Sequence, residues 1–237
     1  MDLLQNAEFW VGLIKIIWIN IILSGDNAVV IALAARSLPQ EQQKKAILFG
    51  SGAAVVLRIG LTVVAAKLLE LPYLQIIGGC LLLWIGTQLL HSGDEEQGDE
   101  GDKSNLWIAV RTILIADLVM SLDNVIAVAA AAKGSMPLLI LGLAISIPLV
   151  IFGSKVMIRL MKRFPVIIVL GAALVGWVGG ESIVGDVAIQ SFVQANAWLH
   201  YLIPALGAIL VVGIGKLSLK RSQAAQQERQ AQEAQSH

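Results

Sequence analysis

The feature that most limits what this chain can become is a series of apolar runs nearly free of charge, each roughly the 20 residues a helix needs to cross a bilayer core. They fall roughly at 9–35, 45–67, 72–91, 107–132, 136–160, 165–185 and 198–217. Unpaired backbone groups find no water in hydrocarbon, so an open strand edge cannot face lipid and the runs are read as helices. The expected fold is an all-α membrane protein of seven transmembrane helices. The first run, about 27 residues or some 40 Å at 1.5 Å per residue, exceeds the bilayer core and must tilt or break.

Composition removes the other classes. Only 14% of the 237 residues are charged, against about 25% in a soluble domain. The 17 Lys+Arg balance 17 Asp+Glu with no basic stripe, which excludes a nucleic-acid partner. Cys80 is the only cysteine, so no disulfide framework exists. The acidic N-terminus, with Asp2 and Glu8, lacks the basic region of a cleaved signal peptide, so the first run is expected to stay as a span.

Basic residues fix the expected orientation. With seven spans, one side collects Arg36, Lys44, Lys45, Lys103, Lys155, Arg159, Lys162, Arg163, Lys216, Lys220, Arg221 and Arg229. The other side has Lys67 and Lys133, with Lys15 just inside the first span. The positive-inside rule then puts the N-terminus outside and the C-terminus in the cytoplasm of a bacterial inner (plasma) membrane. The acidic segment 92–106 becomes a cytoplasmic linker, and 218–237 a polar cytoplasmic tail.

The chain also repeats itself. An offset of 97 lays Trp10 on Trp107, Asn20 on Asp117, Ser24-Gly25-Asp26-Asn27 on Ser121-Leu122-Asp123-Asn124, and Arg58 on Lys155. Farther on the offset becomes 93, pairing Pro72 with Pro165, Gly78 with Gly171, Trp84 with Trp177 and Gly86 with Gly179. Three helices per half is an odd number, so the second half must run inverted, as in many secondary transporters with a midplane site. The domains expected are a first repeat at 1–91, the linker at 92–106, an inverted second repeat at 107–185, an added seventh helix within 186–217, and the tail.

Ionisable groups in hydrocarbon cost roughly 2.5–3.5 kcal/mol each on insertion scales, so those present point to function. The candidates are Asp26, Arg58, Asp117, Asp123 and Glu181, supported by Asn20, Asn27 and Asn124. Asp26 and Asp123 hold equivalent repeat positions and are expected to face one another at similar depth. Asn20 and Asp117 lie six residues before them, 120° around an ideal helix, so a straight helix would not aim both at one ion. A break near Ser24-Gly25 or Ser121-Leu122 would, and only Gly25 favours one. Three carboxylates and three amides form a hard oxygen set suited to Mg²⁺, Ca²⁺ or Mn²⁺. Met120, three residues from both Asp117 and Asp123, would tilt the choice toward Mn²⁺ if it ligates, and is otherwise a core- or lipid-facing methionine. Arg58 is the expected partner of a spare carboxylate, unless it snorkels; Glu181 is a second charge partner, unless it sits at the outer interface.

The blocks Ser24-Gly25-Asp26-Asn27-Ala28-Val29-Val30 and Asp117-Leu118-Val119-Met120-Ser121-Leu122-Asp123-Asn124-Val125 resemble the paired signatures of the TerC family, within the lysine-exporter-like superfamily. Its short seven-helix branch, the YjbE-type metal transport proteins, is the nearest in pattern, and Gly180-Glu181-Ser182 is similar too. The resemblance covers about residues 9–217. It implies manganese export for metal homeostasis, with Asp26, Asn27, Asp123 and Asn124 as the metal site, helped by Asp117. Asn20, where the second repeat has Asp117, departs from equal charge in the two halves.

No Gly-x-x-x-x-Gly-Lys-[Ser/Thr] loop is present, so ATP is not the direct drive. Moving M²⁺ out against about 100 mV costs roughly 4.6 kcal/mol, and exchange for two protons cancels that electrical term. Buried carboxylates can trade a proton for a metal ion. The expectation is a divalent cation/proton antiporter, not an enzyme, with no cofactor beyond the transported ion. Its partners would be metal ion, protons and lipid, with homo-oligomer or translocase association open. The alternatives are a membrane protein delivering metal to secreted proteins or the translocation machinery, and an intramembrane aspartyl protease. The latter needs Gly-x-Gly-Asp where this chain has Leu23-Ser24-Gly25-Asp26.

Overall fold

The computed structural model describes residues 7–23, 25–91, 103–132 and 135–235. Among them are nine helices: α1 (Ala7–Leu23), α2 (Gly25–Ala35), α3 (Gln40–Leu68), α4 (Leu74–His91), α5 (Lys103–Ala132), α6 (Met136–Arg163), α7 (Val166–Gly185), α8 (Gln190–Ala195) and α9 (Leu199–Gln235). No strand occurs among the described residues.

Prolines mark several starts. Pro39 immediately precedes α3, Pro165 precedes α7, and Pro137 sits in the first turn of α6, where a missing N–H costs nothing. Lys162 and Arg163 close α6, their charge complementing its negative end.

Among the described residues, five stretches are long and apolar enough to span a membrane: Gln40–Thr62, Asn105–Leu122, Pro137–Arg163, Val166–Gly185 and Leu199–Leu219. Trp10–Ile19, Gly25–Ala35 and Leu74–Leu90 are shorter apolar helices. Ser24, where a break is expected, lies outside the described residues, and within the long first run lie α1 and α2. Its counterpart α5 is uninterrupted through Ser121-Leu122, as expected where no glycine relieves a break.

The elements differ from the sequence expectation at three places. α5 begins at Lys103, inside the segment read as linker, whose residues 92–102 lie outside the described ones. The added α8 precedes the last span. α9 continues past 217 to Gln235, because the Gln/Ala/Glu-rich tail has good intrinsic helix propensity and no proline or glycine to stop it.

α2 is the centre of the bundle. Every residue from Asn27 to Ala35 is buried, packed among α3, α5, α6 and α7. Its Val29, Val30, Ile31 and Leu33 share one apolar cluster with Ile47, Leu82, Ile113, Met120 and Val175. Outside, large apolar groups such as Val56, Trp107, Phe152 and Ile209 are exposed. In water such a surface would be strongly unfavourable; against lipid it is the matching solvent.

α4, α7 and α9 approach closely because glycines line their contacts. A Cβ on Gly179 would lie 2.9 Å from the Gly79 carbonyl oxygen, and one on Gly176 would lie 2.9 Å from the Ala208 Cα. Such close approach is how membrane helices gain packing energy without a hydrophobic drive between them.

Candidate functional site

The described polar groups converge where α2, α3 and α5 meet. Arg58 of α3 is 4% exposed and Asp117 of α5 is 6% exposed. Arg58 Nη2 donates to Asp117 Oδ1 at 2.6 Å, and Arg58 Nε donates to Ser121 Oγ at 2.9 Å. Ser121 Oγ in turn donates to Asp117 Oδ2 at 3.0 Å. Asp117 and Ser121 are four apart on α5 and so stand one above the other. Arg58 does not snorkel: its fork is spent on these two side chains. Removing one partner of such a buried pair costs about 3–5 kcal/mol, because the other charge is left unpaired.

Beside this network lies a small cavity lined by Asn27, Ile31, Ser51, Ala54, Val55, Arg58, Asp117, Ile147 and Val150, with room for about one water-sized particle. Asn27 is 3% exposed and Ser51 2% exposed. The Ser51 Oγ has no hydrogen-bond partner among the described residues, a burial that costs on the order of 1–3 kcal/mol for a neutral polar group.

Asp26 stands in the first turn of α2, where the helix dipole favours a negative charge. It is half-buried, and its Oδ1 accepts from the Asn27 backbone N–H at 2.8 Å. Asn27, Arg58 and Asp117 thus share one cavity wall built from three helices, with Asp26 the chain neighbour of Asn27.

The other sequence candidates fall differently. The side chains of Asn20 and Asp123 lie outside the described residues, so the expected Asp26–Asp123 meeting does too. Because α5 is continuous, position 123 is 120° from Asp117 around an ideal helix, whereas Asn124, seven residues on, shares the Asp117 face. Asn124 is half-buried. Met120 is 5% exposed and packs in the apolar cluster with Val119 and Ile113, the core placement already open to it. Glu181 is exposed and takes a hydrogen bond from Trp177 Nε1 at 2.8 Å; it stands apart from the Arg58 network. No group of three His, Cys, Asp or Glu that could hold a metal occurs among the described residues.

Sequence reading missed two residues. Ser51 is uncharged and the repeat lays it on Pro148, so neither charge nor repetition marks it in the sequence. Asp186, just past the end of α7, is 1% exposed. Its carboxylate accepts from the backbone N–H groups of Tyr73, Gln75, Ile76 and Ala188 at 2.9, 3.0, 3.2 and 2.8 Å. Burial opposes its charge, yet the four amide donors outweigh that and hold the carboxyl below its ordinary value of 3.8. Asp186 thereby caps α4 from the far end of α7.

A helical membrane bundle with a charged, oxygen-lined neighbourhood at its centre defines a class, the polytopic membrane proteins with a buried polar site. Within that class the chain belongs to the integral membrane protein TerC family, which it matches over residues 5–224. It is 43% identical to the Bacillus subtilis uncharacterized membrane protein YjbE, over 88% of this chain and 95% of that protein. It is 28% identical to the uncharacterized membrane protein YkoY of the same organism, over 90% of this chain and 74% of that one. The Escherichia coli UPF0053 inner membrane protein YoaE is 29% identical over 72% of this chain, which corresponds to 36% of YoaE. No solved structure matches.

Proposed function

We propose that this protein is a secondary transporter that exports a divalent cation, manganese first, in exchange for protons. The observation that carries this reading is the buried Arg58–Asp117–Ser121 network bordering a water-sized cavity that Asn27 also lines. A purely structural role would not require a charge pair in hydrocarbon, since apolar side chains of similar volume usually serve stability as well or better. A transported ion does require one. Arg58 neutralises Asp117 in the conformation described here, and a divalent ion can take over that role when the guanidinium swings away. Protonation of the carboxylates supplies the return leg. No chemical step and no resident cofactor enter.

Seven spans in two inverted halves fit this reading, with α1 and α2 acting together as the first span. Helix packing is consistent with a two-fold exchange of the halves. α3 packs on α5 as α6 packs on α1 and α2, and α2 meets α7 as α4 meets α5. Ile16 and Ile113, equivalent at the offset of 97, are each buried against a glycine of the opposite half, Gly142 and Gly50. The site then lies between the halves, as alternating access requires. The excess of Lys and Arg on one set of connections puts the C-terminus in the cytoplasm of the bacterial inner membrane.

The test is a metal panel on cells lacking the gene, with growth and total metal content measured together. The reading expects manganese sensitivity and raised cell manganese, both reversed by the wild-type gene and not by Asp117→Asn. Unchanged content for every divalent metal tested sets it aside.

A further inference from the structure

Among the described residues, Ser51 lines the cavity with a buried hydroxyl that has no hydrogen-bond partner. Hydroxyls inside these helices normally turn back on their own backbone: Ser154 Oγ donates to the Val150 carbonyl at 2.8 Å, and Thr62 Oγ1 to the Arg58 carbonyl at 2.7 Å. Ser51 does neither. It is buried between Gly50 and Gly52 on α3, with no hydrogen-bond partner among the described residues. Gly50 lets α3 press against α5, a Cβ there standing 3.0 Å from Ile113. Ser51 is thereby held at the wall that Asp117, Arg58 and Asn27 also line.

A buried polar atom left unmatched in a native site calls for a ligand that matches it. The cavity admits about one water-sized particle, so a cation would enter it largely stripped of water. Mg²⁺ gives up its water reluctantly, whereas softer divalent ions such as Mn²⁺ lose it more readily. Resting on the cation-transport reading above, we infer that the Ser51 hydroxyl is a direct oxygen ligand of the transported ion, joining Asp117 and Asn27 in place of lost water. It selects for Mn²⁺ over Mg²⁺ by completing a dry site. The hydroxyl coordinates through its lone pair and keeps its proton, so no bond is made or broken.

The experiment measures Mn²⁺, Mg²⁺ and Cd²⁺ binding to the full-length protein in lipid nanodiscs, for wild type, Ser51→Ala and Ser51→Cys, with thermal melting as a folding control. Wild type is expected to bind Mn²⁺ well above Mg²⁺. Ser51→Ala should weaken Mn²⁺ about tenfold. Ser51→Cys, which substitutes a soft donor, should shift the Cd²⁺-over-Mn²⁺ preference by roughly tenfold or more. If wild type binds no divalent ion, both the transport reading and the ligand role fall. If wild type binds but both variants keep its constants, or both lose all three ions in equal proportion, the ligand role alone is overturned, because only direct coordination changes the rank order of metals.

Discussion

Arg58 and Asp117, on different helices and 59 residues apart, form an ion pair at 2.6 Å with side chains only 5% and 7% exposed. Ser121 bridges the two by accepting from one and donating to the other. The pair can be separated from fold stability by substitution. Asp117→Asn or Arg58→Ala should each destabilise the protein by about 3–5 kcal/mol, since each leaves a buried group uncompensated. The double change Arg58→Met with Asp117→Leu should recover most of that stability and still abolish transport. Thermal melting in detergent and vesicle flux on the same preparations check it. A double variant that transports would mean the pair is scaffolding.

Asp26 is placed by α2, whose first turn it occupies. Asp26→Asn should keep the fold, because the amide oxygen can still accept from the Asn27 N–H, while metal flux drops at least about tenfold with the loss of a charged ligand, some 1.4 kcal/mol or more. Circular dichroism beside flux separates the two effects.

Much of this was legible in the sequence, for a physical reason that also explains the gaps. Charge in hydrocarbon is costly enough that Arg58, Asp117 and Asp26 stand out from any apolar run. The continuity of α5 through Leu122 follows from the absence there of a residue that tolerates an irregular backbone. Glu181 carried the same signal as Arg58, yet burial and not identity separates them, and the sequence has no measure of which helix face looks outward. Ser51 carries no charge and no repeat partner, so only the cavity reveals it. Asp186 acts across more than a hundred residues of chain, on amides of Tyr73, Gln75 and Ile76. No local pattern encodes a cap supplied from so far away.

That cap has a pH signature. A carboxyl held below 3.8 when folded binds its proton more weakly than the unfolded chain does. Its stabilisation is therefore complete above about pH 4 and is lost as pH falls through the lower folded value. Asp186→Ala should cost on the order of 3 kcal/mol at pH 7, from several charge-assisted hydrogen bonds lost together. The gap between wild-type and variant melting temperatures should narrow below roughly pH 4. A gap independent of pH down to 3 would show that the charge is not what holds α4.

Glycine contacts give a control pair. Gly176→Ala pushes a methyl into the α9 backbone at Gly207 and Ala208 and should destabilise by about 2 kcal/mol. Gly213→Ala, where nothing lies within 4 Å, should be neutral or gain a few tenths of a kcal/mol from helix propensity. Melting curves of the two variants should move in opposite directions or differ by several degrees.

The most direct measurement of the central claim is Mn²⁺ flux in sealed proteoliposomes, with an imposed proton gradient as the only energy source. The account requires Mn²⁺ to move up its own concentration gradient against the direction of proton flow, with internal pH changing in step, and requires Asp26→Asn and Asp117→Asn to stop both movements. Mn²⁺ that equilibrates at the same rate in protein-free vesicles, or accumulates equally without a proton gradient, contradicts it.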